Sequence, residues 1–518
     1  MFRLSVCSLV LPVCVTGSNK TPSASAGSCY GRRKTPGRSL ALPVLFGALG
    51  LGAAAEADVL FVKPTLTGAG DCGSWADACT LPDALNSAEA GDEVWVMAGT
   101  YGPFELKEGV KIIGGFAGTE TAASQSNPAT NVTIVDGGGT KRCINSANHS
   151  AATLLRGFNI RNGNDMDDPL PHVFFDGGGL SLSNSRAMIV QCTFENNTAF
   201  AGGAVGIMRG SSPQFVNCIF RHNGATVRDD PPYEGGAVFL DYGTATFTNC
   251  LFHDNKANRG GAFAMSPSGW AIFTNCTFAS NQATWLRGGA VSDPSESLHL
   301  RNCILWGNTR LEGDPPTPVL DQIYGPGDGP EVAYCDVQGG WSGRGRGGNV
   351  VIDADPLFKD VAAGEFNLQF ASPCRDTGSN ALLPLDVRDL DWDGNTMEGL
   401  PLDLALRPRT LGIAVDMGAY ETPFCGDGIC EADESSCSCP QDCGPAPASE
   451  EPTLTCHDGI DNDCDGLMDC DDPDCGSDPA CLGIIPAVSE WGLVILALLL
   501  LTGAKIYFGH QPGPVPPR

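Results

Sequence analysis

Positive charge is scarce in this chain: 31 Lys and Arg stand against 60 Asp and Glu over 518 residues, a formal charge of -29. Affinity for nucleic acid comes largely from Lys and Arg neutralising phosphates, so the composition argues against nucleic acid as a partner. Aromatic residues make up only 8%. Long apolar runs are confined to the two ends. What is abundant is Gly, Pro and Cys, at 66, 37 and 23 residues, a profile that favours turns and strands over long helices. The length suits several domains or one extended repeat array. An acidic surface suits divalent cations, or simple solubility outside the cell.

The first apolar run, Leu40 to Gly52, follows Arg32, Arg33, Lys34 and Arg38 and leads into Ala55-Glu56-Ala57. This reads as a secretory signal with an A-x-A cleavage site at Ala55 and Ala57. A membrane anchor is the competing reading, but spanning needs about 20 apolar residues. The second run, Leu493 to Ala504, follows Pro486, Glu490, Trp491 and Gly492. Residues 485–492 resemble the IPTL-CTERM sorting signal of bacterial exported proteins, which implies a hydrophobic helix, membrane association and a sorting protease as a partner. Ala487 and Val488 depart from that pattern, and the tail carries Lys505, His510 and Arg518 rather than a compact basic cluster.

Between the ends the chain repeats. VQCTFENN, VNCIFRHN, TNCLFHDN, TNCTFASN and RNCILWGN place Cys192, Cys218, Cys250, Cys276 and Cys303 at intervals of 26, 32, 26 and 27 residues. A glycine pair with a small or apolar follower precedes each, at Gly177, Gly202, Gly235, Gly260 and Gly288. Each unit is therefore expected to carry two short strands and two turns, and the period fits one coil of a right-handed, single-stranded parallel β-helix. In such a stack equivalent positions sit about 4.8 Å apart. Cys and the Phe or Leu two residues on then form inward ladders, with the intervening residue facing out. The closing Asn fits a turn, bonding local backbone and its neighbour in the next coil. LRGFNIRNGN fits as an earlier coil, with Phe158 in the Cys slot and Gly163 in the Asn slot.

The cysteine ladder admits three readings: metal ligands, disulfides or core. Core is favoured, because Cys packs as a small buried hydrophobe and parallel Cβ vectors in stacked coils do not meet as a disulfide requires.

The flanking segments resemble surface proteins of planctomycetes and similar bacteria. Residues 58–102 look like the entry segment of right-handed β-helix proteins, with a helical cap at Leu81 to Ala90. DADPLF (353–358), residues 364–381 and VDMGAYE (415–421) look like the closing coils of the choice-of-anchor Q group. The resulting division is leader 1–57, cap and entry coils 58–130, coils 131–352, closing coils 353–423, Cys-rich module 424–444, linker 445–455, Cys/Asp-rich module 456–482, sorting segment 483–509 and tail 510–518.

Three acidic, Pro-rich insertions, 164–176, 225–234 and 310–318, are expected at one corner of the stack, either as a ligand or Ca²⁺ surface or as solvated loops. Pectate lyases and polygalacturonases share this architecture, and Arg228 with Asp229 and Asp230 is the arrangement that could serve a lyase. The paired-Asp and His-Gly signatures of polygalacturonases are missing from the coils, and fold does not supply function. The expectation is therefore a non-enzymatic surface protein, structural, adhesive or glycan-binding, with a polysaccharide lyase or hydrolase as the alternative.

Five cysteines in 425–444 and five in 456–481 read as disulfide-stapled modules. Asp461, Asp463, Asp465, Asp469 and Asp472 occupy positions 1, 3, 5, 9 and 12 of a loop with Gly466 at 6, the spacing of a calcium loop of the EF-hand type. The segment also resembles MopE-like metal-binding repeats of secreted bacterial proteins. Ca²⁺ is thus the expected cofactor, against an acidic disulfide linker. Asp389, Asp391 and Asp393 repeat the D-x-D-x-D-G start, but Leu400 stands at position 12.

Overall fold

The computed structural model describes residues 57–165, 177–225, 234–343, 350–386, 389–391 and 393–422, together with 436, 439–445, 456, 463–464, 467, 469–477 and 481. The signal at Ala55 and the hydrophobic tail, including Pro486, Glu490, Trp491 and Gly492, lie outside the described residues. So does Leu493 to Ala504. Among the described residues no helix is long and apolar enough to cross a membrane.

The chain from Val59 to Ile352 winds into a right-handed parallel β-helix. One coil shows the plan, with four short strands rather than the two expected from the repeat: Val205–Met208, Gln214–Val216, Ile219–Arg221, Gly224–Ala225, then Val238–Leu240 directly beneath the first strand. Repetition builds two long sheets of ten strands, one of eight and one of six. Parallel registers run unbroken through the central coils, as in Phe194 to Phe220 to Phe252 to Phe278.

Side-chain period two then produces the ladders. Phe220 and Phe252 stack with centroids 4.5 Å apart, and Phe247 and Phe273 do the same on the neighbouring sheet. Cys192, Cys218, Cys250, Cys276 and Cys303 form an inward column, fully buried and unbridged, and Cys335 extends it by one coil. Phe158 lies in register with Cys192, as the earlier coil required. The closing asparagines also form a ladder: Asn197 donates to Asn223, Asn223 to Asn255, Asn255 to Asn281 and Asn281 to Asn308, at 2.8–3.1 Å. Gly163, in the slot without a side chain, donates its N–H to Asn197 instead.

At the glycine corner the first Gly of the last four pairs has positive φ, from 62° to 80° at Gly202, Gly235, Gly260 and Gly288, whereas Gly177 does not. The second has no room for a side chain: a Cβ on Gly236 would sit 2.1 Å from the Gly261 carbonyl. Conformation and contact each demand glycine.

Both ends are closed, as exposed ladder ends require. Helix α1 (Leu81–Ser87), capped by Thr80, buries Leu81 and Ala84 against the first coil. A Cys72–Cys79 disulfide staples the segment before it. Trp341 packs on the last coil.

After Ile352 the chain stops coiling. Phe358–Asp360 and Glu365–Leu368 make an antiparallel hairpin, and the described residues from 376 to 386, 389 to 391 and 393 to 422 run back as a strap along the outside of the stack. Phe358, Phe366 and Leu368 bury Leu251 and Ile304. The position between Cys and Phe therefore leaves the stack as expected, yet in these coils it meets protein rather than solvent.

Candidate metal centre on the strap

The strap is held by the asparagines that precede four of the ladder cysteines, Cys218, Cys250, Cys276 and Cys303. Asn217, Asn249, Asn275 and Asn302 all have φ near 50°, a left-handed conformation that Asn tolerates better than most residues. This turns their amides outward onto strap backbone. Asn217 donates to Asp403 O, Asn249 to Leu402 O, Asn275 to Asp416 O and Asn302 to Ser379 O. Ser379 N–H returns a bond to Asn302 Oδ1 at 2.9 Å.

Where the strap crosses the upper coils it forms the D-x-D-x-D-G turn. Gly394 has φ +86° and donates to Asp389 Oδ1; Asn395 N–H donates to Asp393 Oδ1. Carboxylate oxygens of Asp389, Asp391 and Asp393 lie within 4.8 Å of one another. Asp391 also belongs to a second group of the same size with Asp386 and Glu398. Oxygens bound to a single Ca²⁺ at about 2.3–2.6 Å cannot be more than about 5 Å apart, so both triads have the necessary spacing. Glu398 Oε1 is buried with no hydrogen bond. Loss of solvent, then the charges of Asp393, Asp391 and Asp386, hold the Glu398 carboxyl above its ordinary range. A hard cation would satisfy that oxygen and relieve the repulsion, so the residues fit Ca²⁺.

Sequence spacing located the three aspartates and missed Asp386, which precedes the loop, and Glu398, which stands at none of its ligand positions. Leu400, at position 12, is buried with Met188, Val190 and Val216. It anchors the loop to the sheet, and the extra carboxylates come from Asp386 and Glu398.

Between strap and sheet lies a groove of about 470 Å³ lined by Gln214, Thr246, Thr274, Arg301, Leu385 and Asp386. A smaller one of about 230 Å³ includes Lys111, Arg156 and Asp389. Arg156 is buried, which lowers its pKa to about 10, and donates to Gln191 Oε1.

In the second predicted calcium loop, Asp461 and Asp465 lie outside the described residues, as does the side chain of Asp469. Asp472 is 3% exposed; its Oδ1 accepts from Asp474 N–H while Oδ2 has no hydrogen bond. The Cys456–Cys475 bridge spans this loop, and Cys470 within it is bridged to Cys481. Asp463 is half-buried in the same module. The Cys72–Cys79 bridge was not singled out in the sequence, although both cysteines fall in the entry segment of a chain read as exported.

Arg228, Asp229 and Asp230 also lie outside the described residues. The ends of the three acidic insertions do emerge along one edge, beside Thr198–Ala199, Gly224–Ala225 and Thr309–Glu312 of the six-stranded sheet. Asp165 is engaged by Arg142, and Asp314 is exposed. Five coil steps separate the first insertion from the third, about 24 Å at about 4.8 Å each, so Asp165 and Asp314 cannot share an ion.

Residues 112–325 match the family model described as the right handed beta helix region. The chain is a right-handed parallel β-helix protein. Among solved structures it is similar to pectate lyase Pel9A (11% identity, TM-score 0.36, covering 71% of this chain and 97% of that one). It is also similar to a rhamnogalacturonan lyase (13% identity, TM-score 0.27, 59% and 92%). Among curated proteins, the metabotropic glutamate receptor-like protein R of Dictyostelium discoideum is 35% identical over 80 residues, 15% of this chain. The chain spans 5% of that relative's length.

Proposed function

We propose that this chain is an exported, non-enzymatic cell-surface protein: a calcium-stabilised β-helix, structural or adhesive, that presents its side to an extracellular glycan or another surface protein. Its C-terminal segment associates it with the membrane and serves as the substrate of a sorting protease. The observation that carries the reading is the placement of disulfides before and after the stack, at Cys72–Cys79 and in the 456–481 module. Disulfides persist in oxidising compartments outside the cytosol. The strap loop adds to this, since weak extracellular calcium modules operate at roughly 0.1–1 mM Ca²⁺.

The test is to express the full chain, leader and tail included, in a bacterial host. Cells are fractionated, probed with external protease, and applied to extracellular glycans with and without Ca²⁺. Envelope location, surface accessibility and calcium-dependent retention on a glycan or on other cells are expected. A reduced cytoplasmic chain would refute export. Release of unsaturated sugar ends from an acidic polysaccharide would make the protein a lyase instead.

A further inference from the structure

Beneath the strap's far end lies a group of ionisable side chains that no ligand or metal reading uses. Arg409, Asp403, Asp416 and Glu421 are each at most 2% exposed. Three acids surround one guanidinium, so full ionisation would bury an excess of two negative charges, and uncompensated charge is what a protein interior tolerates least.

The donors around each acid show where a proton resides. Asp403 accepts main-chain N–H bonds from Arg407 and Glu421, both at 2.8 Å. Asp416 accepts from Asp376 and Thr422, also at 2.8 Å. Glu421 accepts one, from Asp416 N–H at 3.1 Å, and the Arg409 Nε lies 3.6 Å from it. The Arg409 Nη2 is directed to the carbonyls of Asp416 and Gly418. Two N–H donors stabilise a carboxylate far better than one, so Glu421 is the least stabilised anion.

We propose that the strap is a proton-dependent clasp, in which Glu421 must carry a proton for residues 401–422 to close tightly on the Asn217–Asn302 column. Breaking this group frees Asp403 and Asp416, whose carbonyls are the partners of Asn217 and Asn275. Opening would thus expose the outer face of the sheet that the strap covers.

Burial first, with the Asp416 and Asp403 charges added and Arg409 opposing, pushes Glu421 up to about 8. The remaining charged group against it is Arg407, whose Nη1 donates to the Glu421 carbonyl. On the β-helix side the same segment meets uncharged Thr277 and Asn275. The direction follows from linkage. The closed form binds a proton that the open form releases, so closure weakens as pH rises from the ordinary carboxylate range to about 8 and is level beyond it.

The experiment is amide hydrogen exchange on the full chain between about pH 5 and pH 9, corrected for intrinsic exchange, in the wild type and Glu421→Gln. Strap protection at Leu404, Arg409 and Met417 is expected to fall by up to about tenfold per pH unit below pH 8. Above about pH 6, amides of the central coils stay level, and Glu421→Gln removes the strap's slope. A strap whose protection does not change with pH, or an equal slope in Glu421→Gln, overturns the proposal. Should the variant fail to assemble, infrared difference spectra of the wild type decide. A protonated carboxyl band lost near pH 8 upholds the clasp, and no such band overturns it.

Discussion

The side-chain amide of Asn217 donates to the main-chain carbonyl of Asp403 at 2.8 Å, joining positions 186 residues apart. The donor is the residue before a ladder cysteine, and the acceptor lies in the strap. Replacing Asn217 by Ala leaves a buried carbonyl without its donor, at a cost of about 1–3 kcal/mol to strap docking. Hydrogen exchange at the strap amides should accelerate about tenfold or more, while coil amides such as Phe247 keep their rates.

The second asparagine column lies inside the coils and should be less forgiving. Asn255 donates to Phe220 O and Asn281 Oδ1, and its own Oδ1 accepts from the N–H and the side chain of Asn223. Asn255→Ala leaves groups unpartnered in two neighbouring coils, so a loss of roughly 2–5 kcal/mol is expected in denaturant unfolding. A cost below that of Asn217→Ala would mean that the ladder aligns the coils without stabilising them.

Both columns follow from one sequence word, N-C-x-F-x-x-N, but only its second Asn could be read in advance. The ladders depend on a fixed period, and period is visible in a single sequence; hence Cys192 to Cys303, the Phe stacks and Asn197 to Asn308 were legible. The role of Asn217 depends on a partner 186 residues away, and no local spacing encodes that. The carboxylate loop shows the same division. Asp389, Asp391 and Asp393 share a motif, whereas Asp386 and Glu398 join them because Leu390 and Leu400 pin the loop against Met188 and Val190.

Burial explains why thiols persist in a chain that also carries disulfides. Cys192 is pushed up to about 12 by desolvation, so almost none of it is thiolate at neutral pH. All six ladder cysteines are buried, so the native chain should leave them unlabelled by a soluble thiol reagent, and denaturant should expose them together in one transition. Labelling of Cys250 or Cys276 under native conditions would show that the central coils open locally.

Calcium should act on the strap through Asp391, which both carboxylate triads share. Saturation at 100 times the dissociation constant adds about 2.7 kcal/mol, seen as a rise in unfolding temperature. Asp391→Asn should remove that part of the response. The triple change of Asp461, Asp463 and Asp465 to Asn should remove a separate site in the disulfide module. Calorimetry on the two variants distinguishes the sites, and an unchanged titration in Asp391→Asn would mean that the strap loop binds no calcium.

A buried acid at the end of the stack gives a pH effect of definite sign. Asp336 is fully buried, accepting from Ala354 N–H at one oxygen and from the Cys374 thiol at the other. Burial, opposed by those bonds, raises its pKa from 3.8 to about 6. Between these two values the folded chain binds the extra proton, so stability falls as pH rises from about 4 to about 6 and stays lower above. Asp336→Asn keeps an acceptor for Ala354 and removes the charge. It should therefore stabilise the chain by roughly 1–3 kcal/mol at neutral pH. The gain should vanish below about pH 4, where Asp336 is protonated in both states. Paired unfolding curves of wild type and variant at the two pH values measure it. A variant that is destabilised at neutral pH would show that the Asp336 carboxylate, as an ion, is what holds residues 353–374 to the last coil.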